Sequence, residues 1–269
     1  MQTRAAQLAA FDRLLTIMDE LREKCPWDRK QTFASLRHLT IEETYELADA
    51  IRAEDWEEVR RETGDLLLHM VFYAKLGSEL TRDPWDIADA LNGICDKLIS
   101  RHPHIYGDVE ARDEETVKAN WEKIKLAEGK SSVLSGVPRS LPALDKAFRI
   151  QDKVRGVGFD WEVEEQVWEK VQEELGELRE EADKLRAGDV EAADRVADEL
   201  GDVFFALVNW ARFQGIHPDD ALDRTNSRFI RRFQHMEDAL RNEGRSMSEL
   251  QLAEWDRYWK RAKEACAGS

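Results

Sequence analysis

The sequence lacks a long hydrophobic run, and no stretch of it approaches the roughly 18 consecutive apolar residues of a membrane-spanning helix. Its opening residues, MQTRAAQLAAFDRLL, lack the apolar segment of a signal peptide. It has only three cysteines, Cys25, Cys95 and Cys266, and they form no C-x-x-C pair. Neither a disulfide framework nor a zinc site is therefore predicted. We expect a cytoplasmic protein with no membrane contact.

Positive charge is also scarce. The 40 Lys and Arg residues face 56 Asp and Glu residues, which gives a net charge of −16. This balance argues against binding to a nucleic-acid polymer, because the phosphate backbone requires a basic surface. A small anion would need a local group of Lys, Arg or bound cations. Proline is limited to six residues and β-branched runs are few, so the composition predicts an all-α fold.

The helical pattern is interrupted at residues 127–142, AEGKSSVLSGVPRSLP, where Gly, Ser and Pro concentrate. We therefore predict a domain over 1–128, a linker over 129–142 and a domain over 143–269. Several features recur in the same order in both domains: C-P-W-D at 25–28 and V-G-F-D at 157–160, then E-x-x-E, E-x-G-D, a pair of basic residues one turn apart, and W-x-x-x-K. This order predicts a duplicated helical unit.

Each half carries two pairs of acidic residues at helical spacing. They are Glu43, Glu46, Glu62 and Asp65 in the first half, and Glu174, Glu177, Glu199 and Asp202 in the second. Residues three apart project from one face of a helix, so two facing helices could direct four carboxylates to one ion. Oxygen ligands without His or Cys predict Mg²⁺, with Mn²⁺ as a possible substitute.

The acidic pairs allow two alternatives to a magnesium site: a di-iron site, and a helical module that binds no metal. A carboxylate di-iron bundle uses E-x-x-H motifs, but none of the six histidines has a Glu three residues before it. A single E-x-x-E in so acidic a chain is typical of a solvated helix face. The remaining alternative is therefore a helical dimerisation or interaction module that binds no metal. The doubled acidic pattern favours the metal site.

Basic and aromatic residues follow the acidic pairs in each half. They are Arg228, Arg232 and Trp259 in the second half, and Lys97, Arg101 and Trp121 in the first. Arg side chains one turn apart could clamp phosphate oxygens, and Trp could stack on a base. The apolar runs LLLHMVFYA and VFFALVNWA predict burial on nearly every face, at a bundle core or a homodimer interface. Gly64 and Gly201, inside each E-x-G-D, suggest close approach of another backbone or of a ligand.

The stretches CPWD, EETYE, RHPH, PRSLPAL, VGFDW and ELGD together extend over nearly the whole chain. With the signature E-x-x-E followed by E-x-x-D, they resemble the MazG family of nucleoside triphosphate pyrophosphohydrolases, in its long form with two tandem MazG domains. The resemblance implies tandem all-α four-helix-bundle domains that dimerise through the helical core. It also implies Mg²⁺-dependent hydrolysis of an NTP or dNTP to NMP and pyrophosphate, as nucleotide-pool housecleaning.

The same resemblance implies roles for particular residues. Metal binding and catalysis fall on Glu174, Glu177, Glu199 and Asp202, and nucleotide contacts fall on Lys170, Arg195, Arg232 and Trp259. Arg228 stands where the family usually has Lys, and Ser227 replaces an acidic neighbour. Lys170 and Arg195 are basic, whereas the matching residues of the first half are Leu39 and Glu58. Because a triphosphate is highly anionic, we predict that the second half is the main catalytic one.

Overall fold

A computed structural model describes residues 2–107, 117 and 132–267 of the chain. Within these residues the regular structure is helical and contains no strand, which confirms the predicted all-α class. The chain divides into two compact units, Met1–Glu110 and Ala111–Ser269. The precise boundaries given above, 1–128, 129–142 and 143–269, stay a prediction, since much of the junction lies outside the described residues.

Within residues 2–107, the described part of the first unit, there are five α-helices: α1 (Arg4–Lys24), α2 (Phe33–Arg52), α3 (Trp56–Ser78), α4 (Ile87–Arg101) and the short α5 (Pro103–Tyr106). Side-chain caps define where they begin. Thr32 and Ser35 form a reciprocal capping box at the start of α2, and Asp55 accepts from the Glu58 amide at the start of α3. These caps set the first residues of α2 and α3, the helices that carry the acidic pairs of the first unit.

The core of the first unit lies where α1 and α2 pack on α3. Met18, Leu36, Val71, Phe72 and Leu76 are its buried members. Burial of side chains this size contributes roughly 1.5–3 kcal/mol each relative to exposure. The core therefore fixes α2 against α3 and holds their acidic residues in register.

The second unit contains α6 (Ala143–Arg155), α7 (Glu164–Arg186), α8 (Ala192–Phe213), α9 (Pro218–Asn242) and α10 (Leu252–Ala265). Helices α7 and α8 form a hairpin, α6 packs on α8, and α9 pairs with α10. Tyr258, Met236 and Leu240 are buried between α9 and α10. The hairpin is the element that positions the second set of acidic residues.

The two hairpins turn in the same way. The α7–α8 turn places Gly188 at φ +102°, and the α2–α3 turn places Glu54 at φ +55° in the matching position of R-A-G-D and R-A-E-D. A left-handed φ is unfavourable for a residue with a side chain and free of that cost for Gly. The shared turn supports the duplication read from the sequence.

The apolar runs are only partly buried within their own units. Val71, Phe72, Val203 and Val208 are buried, whereas Leu67, Met70, Phe204 and Leu207 are exposed. The expectation of burial on nearly every face is therefore not met within one chain. Close approach of another backbone of the described chain at Gly64 and Gly201 is not observed, because a Cβ added at either position would meet nothing within 4 Å. Close approach of a ligand at these glycines stays a prediction.

Candidate active site

Three carboxylates meet across the α7–α8 hairpin. Glu174 and Glu177 project from α7 and Glu199 projects from α8, and each offers an oxygen such that the three atoms lie within 4.8 Å of one another. Asp202, one turn after Glu199, lies outside this triplet but forms part of the wall of an adjoining cavity with Glu174. The structure thus brings together the four predicted residues around one end of the cavity.

The electrostatics of this cluster favour a cation. Burial, followed by the charges of Glu177, Asp202 and Glu174, raises the pKa of the Glu199 carboxyl above its ordinary value. Glu199 Oε2 is enclosed, and no described residue donates a hydrogen bond to it. A desolvated carboxylate oxygen without a partner is unfavourable, and a hard divalent cation is a partner that suits oxygen ligands. The donor set therefore fits a metal ion.

Lys170 lies one helical turn before the first of these carboxylates. Its Nζ is 2.7 Å from Glu174 Oε1 and 3.0 Å from Glu173 Oε1. Hydrogen bonds to Glu174 and Glu173 raise the pKa of the lysine, so its ammonium stays charged. It also contributes to the cavity wall. A fixed positive charge therefore stands between the carboxylates and the cavity.

The cavity itself has a volume of about 510 Å³ and lies among α6, the segment 156–163, α7 and α8. Ile150, Val154, Phe205 and Ala206 form its apolar part, and Lys170, Glu174, Asp202, Gln151 and Asn209 are among its polar residues. A largely apolar cleft with a few convergent polar groups is the usual form of a small-molecule site.

A partly buried ion pair closes one side of the cavity. Arg212 Nη1 donates to Asp160 Oδ2 at 3.0 Å, and its Nη2 contacts Asp160 Oδ1. The same guanidinium donates to Asn209 Oδ1, from Nε at 3.1 Å and from Nη2 at 2.7 Å. Because Asp160 ends the V-G-F-D segment, this network holds that segment against α8. Sequence reasoning noted V-G-F-D as a repeat feature but did not identify Arg212 or Asn209.

Arg195 does not extend into the carboxylate cluster. Its Nε lies 2.7 Å from Glu181 Oε2 and its Nη2 lies 2.7 Å from Asp189 Oδ2, at the closed end of the hairpin. Its guanidinium is therefore already paired with acidic side chains. A phosphate contact at Arg195 would require an exchange of these partners.

The other predicted nucleotide-contacting residues lie on α9 and α10. The Arg232 guanidinium stands over the Trp259 ring, 6.0 Å from its centroid, and Phe229 lies 5.1 Å from the same ring. Arg232 Nε is enclosed without a hydrogen-bond partner among the described residues. Arg228 is exposed and donates to Thr225 Oγ1 at 3.2 Å. None of these side chains forms part of the 510 Å³ cavity wall.

The first unit has a second carboxylate group in the matching hairpin. Oxygens of Glu43, Glu62 and Asp65 lie within 4.8 Å of one another, with Glu46 outside the triplet. Burial, then the charges of Asp65 and Glu46, raises the pKa of Glu43. Glu62 Oε2 is enclosed and receives no hydrogen bond from a described residue. By the same reasoning as for the second unit, this group fits a cation.

The surroundings of the first group differ from those of the second. Leu39 stands where α7 has Lys170, and Glu58, where α8 has Arg195, pairs with Arg61. Nearby, Thr40 Oγ1 lies 2.7 Å from both His69 Nδ1 and Tyr73 Oη. A partly buried hydrogen-bonded network therefore lies near Asp65, and Leu39 brings no positive charge to the first group.

Two of the predicted first-half nucleotide residues lie on α4. Lys97 is exposed and Arg101 is half-buried near the end of the helix. Trp121 lies outside the described residues. No helix in the described part of the chain combines the length and the apolar character that crossing a bilayer requires.

Comparison with known proteins gives the family. The model of the MazG nucleotide pyrophosphohydrolase domain matches twice, at residues 31–106 and 163–237. The chain is 42% identical over 260 residues to the nucleoside triphosphate pyrophosphohydrolase of Escherichia coli strain K12, covering 94% of this chain and 97% of that protein. It is 39% identical over 258 residues to the nucleoside triphosphate pyrophosphohydrolase/pyrophosphatase MazG of Thermotoga maritima, covering 94% and 95%.

The chain belongs to the MazG nucleotide pyrophosphohydrolase family, with the domain present twice. The resemblance read from the sequence motifs is confirmed, as is the prediction of an enzyme that hydrolyses phosphoanhydrides. The alternative of a non-catalytic interaction module loses its support. Both matched segments contain the α-helical hairpin with its three close carboxylates.

Proposed function

We propose that the chain hydrolyses the α–β phosphoanhydride of a nucleoside triphosphate or deoxynucleoside triphosphate, giving NMP and pyrophosphate. The observation that carries the proposal is the second carboxylate triplet, next to Lys170 and a cavity of about 510 Å³; Glu199 Oε2 in this triplet has no hydrogen-bond partner among the described residues. Membership of the family, and the names of relatives that cover almost the whole chain, support the same reaction. A cytoplasmic role in clearing the nucleotide pool is part of this proposal.

Mg²⁺ is the proposed cofactor, with Mn²⁺ as a substitute. Glu174, Glu177, Glu199 and Asp202 would hold it, because carboxylate oxygens are the ligands these ions prefer. When bound, the ion would neutralise phosphate charge and lower the pKa of a water molecule. Glu43, Glu62 and Asp65 would hold a second ion in the first unit, with Glu46 beside them.

The other residues of the second unit have separate proposed roles. Lys170 keeps Glu174 in place through its 2.7 Å ion pair and presents a positive charge at the cavity, where it would contact a phosphate oxygen. The apolar wall excludes water from the substrate. Arg195, Arg228, Arg232 and Trp259 are proposed as further nucleotide contacts. Their present partners, such as Glu181 for Arg195, would then be exchanged for groups of the nucleotide.

The second unit is proposed as the main catalytic one. A triphosphate carries up to about four negative charges, which one divalent cation does not neutralise. The second unit adds Lys170 at the cluster, whereas the first has Leu39 there and, one turn before Glu62, Glu58. The first unit would then bind metal weakly or serve a regulatory or structural role, with Lys97, Arg101 and Trp121 as its possible nucleotide contacts.

A homodimer is also proposed. Two exposed apolar side chains of α7, Trp168 and Leu175, lie seven residues apart, and three of α8, Leu200, Phe204 and Leu207, follow at intervals of four and three residues. This spacing places each set on one side of its helix. Exposed apolar surface of this kind is typical of an interface, because leaving it in water is unfavourable. A second copy of the chain would cover it.

A nucleotide panel with Mg²⁺ tests the reaction. The full chain is incubated with each NTP and dNTP, and pyrophosphate and orthophosphate are quantified separately. Pyrophosphate with an equal amount of NMP is expected. Orthophosphate with NDP would place cleavage at the β–γ bond and contradict the proposal.

Calorimetry with Mg²⁺ and a non-hydrolysable NTP is the companion experiment. No heat at millimolar metal would favour an interaction module instead.

A further inference from the structure

Gln151 is a polar residue buried at the wall of the 510 Å³ cavity. It is 4% exposed, and its Nε2 donates to the main-chain carbonyl oxygen of Phe205 on α8 at 2.8 Å. A carbonyl oxygen can only accept, so this bond fixes the amide with its nitrogen toward α8. The orientation of the Gln151 side chain is therefore determined.

The other end of this amide is without a partner. Gln151 Oε1 is enclosed, and no described residue donates a hydrogen bond to it. Buried side-chain oxygens are nearly always paired, because a desolvated acceptor without a donor is unfavourable. The same cavity wall contains Lys170 and Glu174, so the natural source of the missing donor is the molecule that occupies the cavity.

A second amide of the cavity wall, Asn209, stands where the first unit has an apolar residue. Asn209 follows Asp202 by seven residues, and Phe72 follows Asp65 by the same interval. Phe72 is buried in the packed core of the first unit. An amide in place of a core residue indicates a polar ligand.

We infer that the cavity takes the nucleobase and that Gln151 Oε1 accepts a hydrogen bond from an N–H group of the base. The inference rests on the proposed function, because it assigns the cavity to a nucleoside triphosphate. Ile150, Val154 and Ala206 supply the apolar surface that the faces of a planar ring require. The side chains that enclose Oε1 move aside as the base enters.

This role makes Gln151 a specificity-determining residue of a particular kind. Every natural base presents at least one N–H donor on its pairing edge. A single acceptor therefore holds all of them and rejects a ring that has none. The discrimination is between bases with a donor and bases without one, and it is compatible with hydrolysis of many NTPs.

The test uses ATP and purine riboside triphosphate, which lacks the exocyclic amino group and has no N–H on its ring. The full chain is assayed with Mg²⁺ for pyrophosphate release from each, and kcat/KM is compared. The wild-type chain is expected to prefer ATP by about tenfold, the value of one net hydrogen bond. A wild-type ratio near one overturns the inference and needs no variant.

Gln151→Met supplies the second set of measurements, since Met is similar in size to Gln and lacks the amide oxygen that accepts. This variant is expected to lose about tenfold on ATP and little on purine riboside triphosphate, so that the ratio falls to near one. Val154→Ala is the matched control: it trims the apolar wall, and the two substrates should be affected alike. Thermal unfolding checks that each variant is folded.

The outcomes separate the inference from the proposed function. Equal loss on both substrates in Gln151→Met, with a preserved ratio, would show a structural role for the amide and overturn the inference while the proposed function stands. Release of no pyrophosphate from any NTP by the wild-type chain would contradict both. A ratio that depends on Gln151 supports the assignment of the cavity to the base.

Discussion

Lys170 Nζ lies 2.7 Å from Glu174 Oε1, one helical turn along α7, and both residues form part of the wall of the 510 Å³ cavity. The first unit has Leu39 in that position, and no ion pair can form there. The difference between Lys170 and Leu39 therefore changes both the charge beside the carboxylates and the hydrogen bonding of the first carboxylate in each unit. This difference is the basis of the first prediction.

Replacing Lys170 with Leu is expected to lower kcat/KM for NTPs about 10- to 100-fold, because a charged hydrogen bond contributes roughly 1.5–3 kcal/mol. Lys184→Leu is the control, since Lys184 also pairs with a Glu on the same helix but lies outside the cavity wall. Steady-state pyrophosphate release measures both. Equal effects of the two substitutions would show that Lys170 acts only through general charge.

Arg212→Met is expected to destabilise the second unit. It leaves Asp160 and Asn209 without the guanidinium that both of them contact in a partly buried setting. Loss of one partner of a fully buried ion pair costs about 3–5 kcal/mol and an exposed pair contributes about 0–1 kcal/mol, so the cost here should lie between these limits. Arg241→Met, which removes an exposed pair with Asp238, is the control. Thermal unfolding should show a decrease of several degrees for Arg212→Met only, and comparable midpoints would contradict the role of this network.

The stability of the first unit is expected to depend on His69 below neutral pH. Burial of this ring, only partly offset by the charge of Asp65, lowers its pKa below the ordinary value of 6.5. In the unfolded chain the imidazole binds a proton as the pH falls through about 6.5, whereas in the folded chain it binds the proton only at a lower pH. The free energy of unfolding should therefore decrease in this range, by at most about 1.4 kcal/mol per pH unit.

The comparison that isolates this effect is His69→Gln. Urea unfolding of both proteins at pH 8 and pH 5.5 gives the change in the free energy of unfolding with pH, and the carboxylates common to both proteins cancel in the difference. The wild-type chain should lose more stability on acidification than the variant. An identical loss would show that His69 is not the group that titrates.

Phe204→Asp is expected to convert a dimer into a monomer. Phe204 is 53% exposed on the apolar face of α8, and a charge there would be unfavourable against a second apolar surface. Val190→Asp, at an 81% exposed position beside the hairpin turn, is the control. Light scattering at micromolar concentration should give twice the chain mass for the wild type and for Val190→Asp. A wild-type mass of one chain would contradict the proposed homodimer.

The parts of this fold and site that the sequence predicts are those carried by local spacing. The helical class, the duplication and the pairing of Glu174 with Glu177 follow from residues three or four apart, because helix geometry places them on one face. Glu199 lies beside this pair because two consecutive helices form a hairpin, which is a simple arrangement to predict. The shared signature then identified the family.

The rest depends on contacts between residues distant in the chain. Gln151 and Arg212 form their cavity contacts with residues more than 50 positions away, Phe205 and Asp160, and no spacing rule reveals them. Arg195 was predicted to face phosphate from its position one turn before Glu199, yet it pairs with Glu181 and Asp189 around the hairpin turn. The conformation of a long basic side chain is decided by whichever carboxylates the fold brings within reach.

Glu177→Ala and Glu46→Ala, compared in one assay, test the central claim that the second unit hydrolyses the triphosphate. Both glutamates are exposed and occupy the same position in the two hairpins, so neither substitution should unfold the chain. The account predicts that Glu177→Ala abolishes most pyrophosphate release from NTP with Mg²⁺ and that Glu46→Ala retains most of it. Loss of activity in Glu46→Ala with retention in Glu177→Ala, in variants that unfold at the wild-type temperature, would contradict the account.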